Sequence, residues 1–397
     1  HFSPGLLMET AVDRRLSILF VTPVSPFMRA SGSEQRSALM MEALSELGRV
    51  DVVQLTPGEK TTVDRSDNGD VRQVVAVLSG ADKALGRYRP KRDFTQSLER
   101  ALGHRIGDYD LVVGRYLWPL CQIVRPPNTP AVADLDDFRF RYSPLLPWSF
   151  EVFRHALSKR LARSMARLQL NRFNGFFVTS ARDHRELSTL AARPATHLPN
   201  VPSSGCVETA ELSPGAMVLF VGSLWYQPNI DGVNWFLRHV WPLVLASCPS
   251  ASLVLAGAAP PKRRQGWEKH PRVSAPGFVA DINLLYSEAR AVVVPVLSGG
   301  GTNIKVLEAM ARGKPCIVTQ FTADAFDDAF KNGKHFIASG SAAEFARAVI
   351  RVVTGDEDAV THLADEGRRL VAGRFTPQAF QSSVKAFAEE ILSRNRL

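Results

Sequence analysis

Ser298 to Pro315 reads SGGGTNIKVLEAMARGKP. An apolar run, Ala291 to Leu297, leads into it, and a second, Cys316 to Thr319, follows a Gly-Lys-Pro stop. Between them lie three glycines, a threonine and a helical pattern from Asn303 to Ala311. That order is strand, glycine loop, helix, turn, strand. Bare backbone N–H groups at a helix N-terminus, reinforced by the helix dipole, suit an anion. The stretch reads either as a phosphate cradle or as an ordinary tight strand-to-helix turn.

Working outward, the same alternation recurs along the chain. Leu16 to Val21 is an apolar strand, followed by a loop ending Ser31-Gly32-Ser33 and a helix with Leu39, Met40, Ala43, Leu44 and Leu47 as its buried stripe. Ser33 is expected to cap that helix. Val50 to Leu55 and Val71 to Leu78 read as strands, with the polar, turn-rich stretch Thr56 to Asp70 between them. Leu111 to Val113, Ala131 to Leu135 and Gly175 to Thr179 are further strands; the second ends in an acidic cluster, Asp134, Asp136 and Asp137. His197 to Gly205 is the linker candidate. A second series then begins with strand Met217 to Val221 and a helix over Asp231 to Leu245, and ends in a helix from Pro377. Alternating strands and helices predict parallel sheets. The fold class is α/β, with two doubly wound halves joined near residue 203 and a ligand cleft at the strands' carboxyl ends.

With 397 residues, 45% apolar and 22% charged, the composition is that of a folded globular chain. No apolar run approaches the roughly 18 residues of a spanning helix. The first ten residues lack the charged-then-apolar layout of a secretory signal. Four cysteines, Cys121, Cys206, Cys248 and Cys316, are too dispersed to suggest a metal or disulfide framework, which fits a reducing cytoplasm. The net charge of +9 suits an anionic partner: nucleic acid, a membrane face or a phosphorylated ligand. From Trp148 a basic helix is expected, with Arg154, Lys159, Arg160, Arg163, Arg167 and Arg172 beside an apolar stripe. It reads either as a peripheral anchor on anionic lipid or as a solvated basic face.

Three blocks resemble the donor domain of retaining glycosyltransferases of family four, in a bacterial branch linked to cell-surface polysaccharide. They are FVGSLWYQPNIDGVNWFLRHVWPLV, the block PGFVADINLLYSEARAVVVPVLSGGGTNIKVLEAMARGKPCIVT, and the closing FTPQAFQSSVKAFAEEIL, spanning about residues 217 to 397. The resemblance implies a GT-B fold: two Rossmann-like domains facing a central cleft, with the last helix crossing back to the first. On that basis residues 14–202 form an acceptor domain, 203–376 a donor domain and 377–397 the returning helix. The implied activity is transfer from a nucleotide-diphosphate sugar to a glycan or lipid-linked saccharide, at the inner face of the membrane. No metal, cofactor or nucleic-acid partner is implied. A sugar-nucleotide epimerase or a non-catalytic sugar-nucleotide-binding protein are the alternatives.

The family pairs two glutamates eight positions apart. Glu308 matches the second, which accepts bonds from the donor ribose; a carboxylate has only acceptor sites, suited to two hydroxyl donors. Gly300 stands where the first, sugar-contacting glutamate is expected. Backbone from Gly299, Gly300 and Gly301 through Thr302, Asn303 and Ile304 is expected at the diphosphate. The loop Gly222-Ser223 to Asn229 lacks the family's Arg and Lys, so Lys305 becomes the candidate cation, with Arg36 or Arg182 as weaker ones. Asn229 and Asp231 are expected to serve the loop and helix cap, with Asn229 also a donor-site candidate. Phe278 and Val279 match the loop against the nucleobase. Ser31, Gly32, Ser33, Arg36, Asp134 and Asp136 are the acceptor-side candidates, the aspartates read as an acidic strand end facing the cleft.

Overall fold

The computed structural model describes residues 15–29, 31–69, 71–79, 89–136, 167–203, 207, 212–327 and 329–396. Asp137 and the basic segment from Trp148 as far as residue 166 lie outside the described residues.

The first half contains strands β1 (Leu16–Thr22), β2 (Gly48–Gly58), β3 (Thr62–Arg65), β4 (Gln73–Ser79), β5 (Leu111–Arg115), β6 (Ala131–Leu135), β7 (Gly175–Val178) and β8 (Ala195–His197). They make one sheet in the order β3-β4-β2-β1-β5-β6-β7-β8. Every pair is parallel except β3 with β4. Helices α1 (Gly32–Leu47), α2 (Arg92–Leu102), α3 (Leu117–Gln122) and α4 (Ala181–Leu190) cover it. The central strands are continuous apolar runs because both faces are covered: Ile18 to Val21 are all buried, and they feed two separate cores. The stretch Thr56 to Asp70 is not all turn, contrary to the expectation from its polarity: β2 runs into it as far as Gly58, and β3 within it pairs back on β4. β3 is a largely exposed edge strand, so it lacks the apolar alternation that marks a strand in sequence.

Ser31, rather than Ser33, caps α1. Ser31 has extended dihedrals, its hydroxyl accepts the Glu34 N–H, and the Glu34 carboxylate accepts the Ser31 N–H. This reciprocal box satisfies two donors at once, and a serine two residues later has no such partner.

The second half holds β9 (Met217–Val221), β10 (Ser252–Ala256), β11 (Val273–Gly277), β12 (Ala291–Val294), β13 (Cys316–Thr319) and β14 (Ile337–Ser339). Their order is β11-β10-β9-β12-β13-β14, all parallel. The helices are α5 (Gln227–His239), α6 (Trp241–Ser247), α7 (Pro261–Trp267), α8 (Ile282–Glu288), α9 (Ile304–Ala311), α10 (Gln320–Ala323), α11 (Ala342–Thr354), α12 (Glu357–Arg374) and α13 (Pro377–Arg396). The expected Asp231 to Leu245 helix is two, α5 and α6, which meet at Val240; Pro242 opens α6, since it has no N–H to continue the first.

Helix α13 packs on the first half. Phe380, Val384, Phe387, Ala388 and Ile391 recur at helical spacing and are buried with Ile18, Phe20, Leu39 and Leu44. Each of the larger ones contributes about 1.5–3 kcal/mol by leaving water. Lys385 to Glu46, at 2.8 Å, adds an exposed ion pair of little energetic weight.

Candidate functional site

In the second sheet β9 lies between β10 and β12, so the chain's strand order reverses there. Loops leaving β9 and β12 diverge and open a crevice at their carboxyl ends. Gly222 to Tyr226 forms one wall, and Pro295 to Asn303 the other. Lys305, in the first turn of α9, reaches into that crevice. Its ammonium donates to Asn229 Oδ1 at 2.7 Å, and Asn229 Nδ2 donates to the Ser223 carbonyl at 2.8 Å. The ammonium also lies 5.3 Å from the centre of the Phe220 ring. Gly222 leaves room for it: a Cβ there would sit 3.2 Å from Lys305 Cε and 3.3 Å from Nζ. Burial pulls the ammonium down to about 8, near the Cys316 thiol. Burial in turn pushes that thiol far up. Asn229, expected at the loop or cap and as a donor-site candidate, lies within the first turn of α5, with its side chain turned to Lys305.

One turn along α9 is Glu308, nearly buried at 12% side-chain exposure. Its two carboxylate oxygens have different partners. Oε1 accepts both the N–H of Ser203 and its hydroxyl, the latter at 2.6 Å. Oε2 accepts a guanidinium N–H from Arg312. Ser203 is held near the first half through its neighbour, because the Pro202 carbonyl accepts the Gln35 amide at 2.8 Å.

The glycine loop forms part of the seam between the halves. Gly301 has φ +66°, and a Cβ there would sit 2.4 Å from the Asp136 carbonyl. Its N–H donates to the Asp183 carboxylate at 2.9 Å, from the first turn of α4. The Thr302 hydroxyl donates to the Thr179 carbonyl. Arg182 reaches the Phe321 carbonyl at 3.3 Å and stacks on the Phe321 ring. Gly301 and Thr302, expected at the diphosphate, are thus engaged by the first half. Gly32 faces Ile304 across the same seam, where a Cβ would come within 3.4 Å of Ile304 Cδ1. Phe278 is 78% exposed on the loop after β11, whereas Val279 packs partly against the core.

The acceptor-side candidates divide. Ser33 lies 3.5 Å from the Tyr116 hydroxyl, on the loop after β5, and Tyr116 has φ +61°. Arg36 and Asp134 do not face the cleft. Both are buried, and Arg36 donates to Asp134 Oδ1 at 2.6 Å and Oδ2 at 2.9 Å. Arg115 adds a third bond to Asp134 at 3.1 Å and reaches Asp136 at 2.6 Å. The reason is charge balance: burial raises the Asp134 carboxyl, and the two guanidinium groups outweigh it and hold it low. Arg36, Arg115 and Asp134 brace the strand ends under the cleft. Arg115, Asp183, Ser203 and Arg312 carry contacts that the sequence reading missed; only Arg312 had a signal, its i, i+4 spacing from Glu308. Among the described residues no group of three or more His, Cys, Asp and Glu is placed to hold a metal, and no helix is long and apolar enough to cross a membrane.

Comparison with known proteins completes the identification. The family described as "Glycosyl transferases group 1" matches residues 215–355, and "Glycosyl transferase 4-like domain" matches residues 31–200. The chain is a GT-B glycosyltransferase. Sucrose-phosphate synthase from Thermosynechococcus elongatus superposes with a TM-score of 0.66 at 17% identity, covering 96% of this chain and all of that one. The glycosyltransferase also superposes on Anabaena HepE in complex with UDP and glucose, with a TM-score of 0.58 at 14% identity over 96% of this chain and 100% of that one. A curated relative, "Uncharacterized 44.6 kDa protein in cps region" of Klebsiella pneumoniae, is 28% identical over 144 residues. That stretch is 34% of this chain and 36% of the relative. The family matches fall on both halves of the glycosyltransferase, so the crevice beside β9 and the seam opposite it belong to matched sequence.

Proposed function

We propose that the glycosyltransferase moves a sugar, with retention of configuration, from a nucleoside-diphosphate sugar to a glycan or lipid-linked saccharide of the bacterial envelope. The observation that carries the donor reading is the Lys305 ammonium, held by Asn229 at the switch point, one helical turn from Glu308. Lys305 takes the diphosphate in place of the cations that the Gly222 to Asn229 loop lacks. Glu308 takes the ribose, and the exposed Phe278 lies against the base. The structures of similar fold crystallised with UDP support a uridine nucleotide.

Chemistry follows from that placement. The bond from the anomeric carbon to the diphosphate breaks, and charge accumulates on the diphosphate oxygen. A positioned ammonium stabilises that charge most where water is excluded. The acceptor oxygen bonds to the anomeric carbon from the face the diphosphate leaves, and its proton passes to the diphosphate oxygen. No side-chain base is required, and orientation supplies much of the rate.

The relative from the cps region supports an envelope acceptor. The site is cytoplasmic in this reading, at the inner membrane face through the basic segment after Trp148. Incubation of UDP-sugars with lipid-linked oligosaccharide, with the product's anomeric configuration read by NMR, tests the proposal. Retention supports it and inversion contradicts it. Failure to co-sediment with anionic liposomes at low salt removes the membrane placement.

A further inference from the structure

Arg312 lies beneath the nucleotide side of the crevice, in a place the diphosphate chemistry does not use. Its side chain is 8% exposed and has three kinds of partner. One N–H goes to Glu308 Oε2, and the same nitrogen reaches the Glu308 carbonyl at 3.1 Å. Nε donates to Asn283 Oδ1 at 3.1 Å. The guanidinium carbon lies over the Tyr286 ring, 4.5 Å from its centre, and Tyr286 is itself buried. Asn283 and Tyr286 share one face of α8, three residues apart, and α8 follows the Phe278–Val279 loop. The arginine is held by two residues of α8 before it meets the carboxylate.

A guanidinium is a planar fork that loses little freedom per bond once stacked and bonded at Nε. It therefore fixes which oxygen of Glu308 is committed. Oε2 is taken, and Oε1 faces the interdomain linker with two donors from Ser203 already on it. An N–H and an O–H on one oxygen match the demand of a ribose diol.

We infer that Arg312 is a positioning residue for nucleotide recognition: it holds Glu308 by Oε2 so that Oε1 alone reads the ribose. Ser203 fills that oxygen until the nucleotide arrives. This rests on the reading that Glu308 faces the ribose.

The test measures dissociation constants for UDP, GDP and ADP, and for the 2′-deoxy counterpart of the tightest binder. The proteins are wild type, Arg312→Met, Arg312→Lys and Glu308→Ala, plus the double variant E308A/R312M. Expected is a wild-type preference for the ribonucleotide of about tenfold, falling to within about twofold in R312M, with donor KM raised and kcat nearly unchanged. R312K, which keeps the charge but not the planar stack, should recover part of the preference, and serves if R312M does not fold. In the E308A background R312M should add nothing. An undiminished ribose preference in R312M, or an equal R312M effect without Glu308, overturns the inference. A ribose preference that survives E308A overturns the prior reading of Glu308 instead. Absence of binding by all three nucleotides overturns both.

Discussion

The Lys305 ammonium donates to Asn229 Oδ1 at 2.7 Å, joining two helices that begin on opposite walls of the crevice. A lysine pulled down to about 8 by burial is costly to keep, with one uncharged acceptor and one ring face as partners. Such a group trades stability for chemistry. Lys305→Met is expected to raise the melting temperature of the nucleotide-free protein by roughly 2–4 °C, the scale of about 1 kcal/mol in a domain of this size. It is also expected to lower kcat/KM by about 10²–10³-fold. Scanning calorimetry beside steady-state kinetics checks both; a variant that is less stable and still active contradicts the assignment.

The same lysine sets a pH dependence. Below about pH 8 it is protonated in both the native and unfolded chain, so its burial penalty is fully present. Between about 8 and the ordinary 10.5 the unfolded chain holds more protons, and stability rises with pH relative to K305M. Denaturant titrations of the two proteins from pH 7 to 10 should converge. Over the same window kcat/KM of the wild type should fall as the free enzyme loses its ammonium.

Much of the fold was legible because buried parallel strands are apolar on both faces: β9, β10, β12 and β13 stand out as short runs between helical patterns. β3 and β8 did not, being short edge strands of four and three residues without buried alternation. Lys305 and Asn229 were each nominated, but they lie 76 positions apart, and only the pairing of β9 with β12 brings them together. Asp134 shows the opposite failure. An acidic strand end looks solvent-facing until Arg36 from α1 and Arg115 from β5 converge on it.

The seam offers a separate expectation. Asp183→Ala leaves the buried Gly301 N–H without its acceptor, at a cost of about 1–3 kcal/mol. Gly301→Ala combines a left-handed φ with a Cβ driven against the Asp136 carbonyl. Both substitutions should speed amide exchange at 299–303 and around 179–183 together, while leaving α13 protected. Unchanged exchange on the α4 side would show that the halves do not depend on this contact.

Ser203→Ala removes the hydroxyl donor from Glu308 Oε1 and leaves the backbone one. A competitor weakened in the free protein makes more of the population ready for ligand. Nucleotide affinity should therefore rise about two- to fivefold by calorimetry, with no change in E308A. A loss of affinity would mean that Ser203 supports the site instead of filling it.

Whether Lys305, held by Asn229, reads the diphosphate is decided by comparing the affinities of a nucleoside diphosphate and the matching monophosphate, at pH 7 and fixed salt, on wild type and K305M. The expected result is a wild-type preference for the diphosphate of at least about tenfold, lost in K305M while monophosphate affinity stays within about twofold. A diphosphate preference that survives in K305M would contradict it.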